Sequence, residues 1–226
     1  MTDRPDGAGG NPVSAFEFLL VLYAIVAGLG VSLLVRSIGQ VIEARDRVRL
    51  YWVHTCWVAL VFVSHVVSWF GLWGYARNPS WTILQALLLL CVPVLLYLIS
   101  HLSVPELDDD RVHDMREYYF RHARWMQGLL LAVIVAGALA HYVVAGRFDF
   151  SGGRGIRGAM AVILLPGIIS LRPTVHALQA VLLLLVMAMR SPAMQRWQGW
   201  APLSRLGQIS YSVFLVHFAV CVLVNA

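Results

Sequence analysis

Long apolar stretches alternate with short polar segments through most of the chain. Crossing a bilayer takes roughly 20 apolar residues rising 1.5 Å each. The first stretch of that kind runs from Ala15 to about Ile42, and Ser14-Ala15-Phe16-Glu17 opens it with a capping-box spelling. The second runs from Leu50 to Trp73, the third from Trp81 to Leu102 with a kink predicted near Pro93, and the fourth from Trp125 to Ala145. Residues 158–189 are apolar but interrupted by Pro166-Gly167 and Arg172-Pro173, and a last stretch runs from Ile209 to Ala226. The pattern predicts an all-α fold, a polytopic transmembrane helix bundle. It divides the chain into a disordered lead (1–13), the bundle (14–189), an Arg/Trp-containing connecting loop (190–208) and a C-terminal span (209–226).

The span count turns on residues 158–189. Two short spans around Arg172-Pro173 make about seven, with nine arginines inside and eight outside, a distribution that decides nothing. One bent or re-entrant crossing makes six, with eleven arginines inside, five outside and Arg172 at the break, which suits the positive-inside rule better. Thirty-two residues would make a helix of about 48 Å, long for one crossing, and this favours seven.

The loop before the fourth span carries a second capping-box spelling, Ser103-Val-Pro-Glu106, then Asp108, Asp109 and Asp110, then arginines at 111, 116, 121 and 124. Acids early and bases late suit a helix dipole, and Glu117 and Arg121 stand four apart. With Met115, Tyr118, Tyr119, His122 and Met126 on one side, the segment reads as one amphipathic surface helix leading into Trp125. Gly128, Ala132, Ala136 and Ala140 form a stripe of small residues, as do Ala24, Gly28 and Ser32, and both suit close helix packing in lipid.

Composition agrees with the pattern. Hydrophobic residues are 59% and charged residues 13%, against roughly 25% charged in a soluble domain. That excludes a soluble enzyme and a disordered chain. All 17 basic residues are arginine, and the net charge is +5. The arginines sit at span ends and in loops, where they act as topology signals and headgroup contacts, so no nucleic-acid partner is expected. Cys56, Cys91 and Cys221 lie in apolar stretches without a CxxC and read as core residues.

Eight histidines stand out in so apolar a chain. His65 and His141 fall at similar depth toward the outer side, and His54, His101 and His176 nearer the inner side. Two such layers suit haem ligation by one imidazole from each of two helices, which makes His65 and His141 the candidate pair. The alternative is anchoring or hydrogen bonding at the interface. His54 and His65 are about 16.5 Å apart along one helix and cannot share an iron. Ser210 and His217 share a face of the last span, but about 10 Å separates them, against the roughly 3 Å that a nucleophile and its base need. The loop from Arg147 to Arg157 offers Arg147, Arg154 and Arg157 beside flexible glycine backbone as a headgroup or anion site. No metal site and no cofactor are expected from these residues.

Two resemblances add to this reading. Phe16-Glu-Phe-Leu-Leu-Val-Leu, Ala27-Gly-Leu-Gly30, Arg45-Asp-Arg-Val-Arg-Leu-Tyr-Trp-Val-His54-Thr-Cys-Trp57 and Tyr118-Tyr-Phe-Arg-His-Ala-Arg124 resemble a family of small bacterial inner-membrane proteins with no assigned activity. That resemblance covers residues 14–189 and implies a six-span bundle. Trp200-Ala-Pro-Leu-Ser-Arg-Leu-Gly-Gln-Ile-Ser-Tyr-Ser-Val-Phe-Leu-Val-His-Phe218 resembles a late span of the acyltransferase-3 family, whose members acylate sugars of surface polysaccharides. The early span of that family pairs an arginine with a histidine some eleven residues on. Here Glu43 stands eleven before His54, and His54 eleven before His65.

The expectation is a bacterial inner-membrane bundle, non-enzymatic, that contacts the lipid bilayer and binds a partner, a lipid or a small hydrophobic ligand. A membrane-protein partner or a second copy is compatible with the small-residue stripes. The alternatives are an acyltransferase-like membrane enzyme using His217 and Ser210, and a haem-binding electron carrier using His65 and His141.

Overall fold

The computed structural model describes residues 14–78, 80–105, 107, 112–146 and 155–189. In chain order it holds helix α1 (Ala15–Glu43), a two-residue strand β1 (Val48–Arg49), and α2 (Trp52–Gly71) extended by a 3-10 turn at Leu72–Tyr75. Then come α3 (Ile83–Leu102), strand β2 (His113–Asp114), α4 (Met115–Ala145), α5 (Gly155–Ile169) and α6 (Pro173–Met189). Four helical segments, α1, α2 with its turn, α3 and α4, are long and apolar enough to cross a membrane. The chain therefore has the architecture of an integral membrane protein.

Local chemistry sets the helix starts. Ser14 accepts from the Glu17 amide at 3.2 Å while its own amide donates to the Glu17 carboxylate at 2.7 Å, closing the capping box at α1. A reciprocal pair opens α3, where the Thr82 amide donates to Gln85 Oε1 at 3.0 Å and the Gln85 amide to Thr82 Oγ1 at 3.3 Å. Asp114 caps α4 by accepting from the amides of Arg116 and Glu117. Ser103 does not open a helix, contrary to its spelling. It sits at the C-cap of α3, and its hydroxyl donates back to Ile99 O at 2.7 Å, a bond the helix's last turn leaves available.

The amphipathic surface helix is corrected as well. Residues 115–124 are the first turns of the 31-residue α4, which continues unbroken to Ala145. Its apolar side is buried in the bundle rather than spread on the membrane, since Met115, Tyr119, Ala123 and Met126 are all within 1% of full burial. The Glu117–Arg121 pair forms at 2.7 Å on the exposed side. Parallel pairing of Val48 with His113 and Arg49 with Asp114 ties the α1–α2 loop to the start of α4.

The buried face of α1 runs through Leu19, Tyr23, Ala27, Gly30 and Leu34, at steps of three and four. The opposite face exposes Phe18, Val21, Ile25 and Leu29, as a helix wall against lipid would. Ala24, Gly28 and Ser32 are exposed on α1, and Ala24 and Gly28 border a groove shared with His65, Val66 and Trp69 of α2. The central core joins Trp57 and Leu60 of α2, Leu96 and Ile99 of α3, Tyr119 and Leu130 of α4, Leu164 of α5 and Leu183 of α6.

Residues 158–189 form two helices, not one bent one. Gln179 on α6 donates to Ile163 O and Leu164 O on α5, positions nearly symmetric about Ser170–Arg172, so the pair is an antiparallel hairpin. The described parts of the two helices, 15 and 17 residues, rise about 22 and 25 Å. The count of about seven includes both of them and the stretch from Ile209, which lies outside the described residues.

Candidate functional site

Two neighbouring features bring polar side chains together inside the bundle. The first is a partly open cavity of about 140 Å³ lined by α1 to α5. On α4 its lining runs from Leu130 to Ala140, about 15 Å of helix. Its walls are mostly aliphatic, from Leu89, Val92, Val133, Ile134 and Met160. Hydroxyls come from Tyr23, Ser64, Ser68 and Tyr75, and one cation from Arg157. Tyr23 pairs with Ser68, whose hydroxyl donates to His65 O at 2.9 Å. The side chain of Arg157 is partly buried, and Nη1 donates to Gly137 O at 3.3 Å. Arg157 lies in the first turn of α5, at the same end of the bundle as Tyr75, so the charge stands near one end of the cavity.

The second feature is a polar network about one helical turn away on α4 and α5. Tyr119, Gln127 and His176 are fully buried and Gln179 is 3% exposed. His176 Nε2–H donates to Ser170 O at 2.9 Å, which leaves Nδ1 as the acceptor. Tyr119 Oη and Gln127 Nε2 both donate to that one nitrogen, each at 2.9 Å. Gln127 Nε2 also donates to Gln179 Oε1 at 3.2 Å. The amide orientation follows from this, since a flipped Gln127 would set its oxygen against Gln179 Oε1 and His176 Nδ1. Among the described residues, Gln127 Oε1 has no partner. Gly167, just after the α5 proline, lies so close to the two glutamine amides that a Cβ there would overlap both.

The predicted residues distribute as follows. His65 is 1% exposed and its Nε2 donates to Ser100 Oγ at 2.9 Å, while Ser100 itself donates to Leu96 O at 3.0 Å. Nδ1 is then the acceptor nitrogen, buried and without a hydrogen-bond partner among the described residues. The His141 ring packs against that of Tyr75, with centroids 6.2 Å apart. His54 donates to Ser103 O at 3.1 Å, a helix-end contact. Of the three loop arginines, Arg157 reaches the cavity, while Arg147 and Arg154 lie outside the described residues. Ser210 and His217 also lie outside them. Among the described residues, no three histidine, cysteine, aspartate or glutamate side chains stand together as a metal site would require.

Sequence reasoning passed over Gln127 and Gln179, although a neutral amide within an apolar span is a signal by itself. Gln127 lies two residues past Trp125, which reads as an interface anchor and pulls the expected depth outward. Outside the membrane-spanning helices, partial burial at the α2 N-cap pushes the Tyr51 phenol up, against the opposing pull of Arg116.

No family model, curated protein or solved structure matches this chain.

Proposed function

We propose that this protein is a multi-pass helical bundle that binds a small hydrophobic ligand or lipid in the cavity among α1 to α5. The observation that carries the reading is the cavity itself, about 140 Å³ of mostly aliphatic space with a few hydroxyls and one arginine in its lining. Close packing ordinarily leaves few voids larger than a water molecule, and apolar cavities of about 150 Å³ take up benzene-sized molecules. Orientation by a small number of polar groups on an apolar wall is the usual design of a small-molecule site. The reading includes a bacterial inner-membrane location, which rests on the arginine distribution and the resemblance of residues 14–189.

Native mass spectrometry of the full chain in mild detergent tests it. A retained lipid or small hydrophobic mass is expected, and Gly137→Leu, which projects an isobutyl group from the cavity wall, is expected to lose it. A bare chain mass for the unsubstituted protein, or retention unchanged by Gly137→Leu, would count against the cavity as the binding site.

A further inference from the structure

We infer that the ligand of this cavity is an anionic single-chain amphiphile, with its carboxylate held by Arg157 and its first carbons between α2 and α4. The inference rests on the binding role proposed above and names its chemical class.

Three observations converge on an anion. Arg157 carries five N–H donors in a fixed fork, and its hydrogen bond to Gly137 O, at 3.3 Å, is long. Among the described residues no carboxylate pairs with it. The guanidinium is partly buried at the wall of an apolar cavity, where an uncompensated charge is costly and a bound anion would compensate it. A carboxylate accepts two parallel N–H bonds from an arginine fork, which a hydroxyl or an ester does not.

Shape points to one short alkyl segment. The aliphatic lining extends along α4 from Gly137, beside the arginine, toward Leu130 and Leu89. A volume near 140 Å³ matches a benzene-sized group, room for about six carbons of one chain.

The test is titration of the full chain in lipid nanodiscs with octanoate and with octan-1-ol, using the unsubstituted protein, Arg157→Gln and Gly137→Leu. Octanoate is expected to bind Arg157→Gln about ten-fold more weakly or worse, the range of a lost charge-assisted pair. Octan-1-ol is expected to bind both proteins alike, which also shows that Arg157→Gln is folded. Gly137→Leu is expected to weaken both ligands. Equal octanoate binding by the unsubstituted protein and Arg157→Gln would overturn the anionic ligand while leaving the cavity's role standing. Octanoate binding that needs Arg157 but ignores Gly137→Leu would overturn the location, leaving a surface anion contact. If neither compound binds the unsubstituted protein, this inference and the proposed function fall together.

Discussion

Gly30 and His65 make contact that no other residue at position 30 would permit. A Cβ on Gly30 would lie 2.6 Å from His65 Nε2, inside any real contact distance. The bare backbone of α1 thus leaves the imidazole room to reach from α2 to Ser100 on α3, 2.9 Å away. Gly28, two residues earlier on the same helix, has nothing within 4 Å of such a Cβ.

The two glycines should therefore respond oppositely to alanine. Gly30→Ala is expected to destabilise the protein by about 1–3 kcal/mol through overpacking. Gly28→Ala is expected to be neutral or to stabilise by up to about 1 kcal/mol through helix propensity. Thermal unfolding of both variants in one detergent checks this, and a Gly28→Ala loss as large as that of Gly30→Ala would refute the packing account.

Gly167→Ala should be more damaging than an ordinary glycine substitution in a helix. Its methyl group would meet the amides of both Gln127 and Gln179, which are held by their own hydrogen bonds and have little room to give. Loss of protease resistance in the α5–α6 hairpin is the expected readout. Unchanged cleavage between 155 and 189 would show that the two glutamines can move aside.

Tyr119 and His176 should be energetically coupled across α4 and α6. Deleting the hydroxyl with Tyr119→Phe is expected to cost about 0.5–1.5 kcal/mol, modest because interhelical bonds in lipid average below 1 kcal/mol. In a His176→Ala background the same change should cost measurably less, because its acceptor is gone. A double-mutant cycle on unfolding free energies reads the difference, and strict additivity would mean that the bond contributes nothing.

Glu117→Ala should leave stability within about 0.5 kcal/mol. Its ion pair with Arg121 is short, but the two side chains are 73% and 66% exposed, where solvent and salt screen the attraction. A drop in unfolding temperature larger than that of Tyr119→Phe would contradict this ranking.

Much of the architecture was legible because helices in a membrane are specified locally. Residues 15–43 carry their own apolar length, and Ser14 and Glu17 their own cap, so α1 begins where the spelling says. The α2 and α3 boundaries follow within two residues, as does the end of α4 at Ala145. A helix over 115–126 was legible too, but not its place: hydropathy starts the fourth span at Trp125, whereas α4 runs unbroken from its Asp114 cap and buries that side in the bundle. Ser103 misled for a related reason: one hydroxyl serves a helix start or a helix end, and the neighbouring backbone decides which.

The site was less legible. Arg157 stood among three loop arginines with nothing to single it out, and only the approach of α5 to α4 sets its guanidinium at the cavity wall. His65 and His141 share a depth in the sequence, yet their rings lie against different neighbours, Ser100 for one and Tyr75 for the other. The amino-acid sequence by itself determined the helical membrane class, most helix limits and which positions share a face. The tertiary structure alone decided which of those faces meet, joining Tyr119 to His176 across 57 residues and Gln127 to Gln179 across 52. The physical reason is that lipid is as apolar as leucine, so hydrophobicity does not tell a lipid-facing wall from a buried one, and helix pairing is settled by shape and by hydrogen bonds between distant segments.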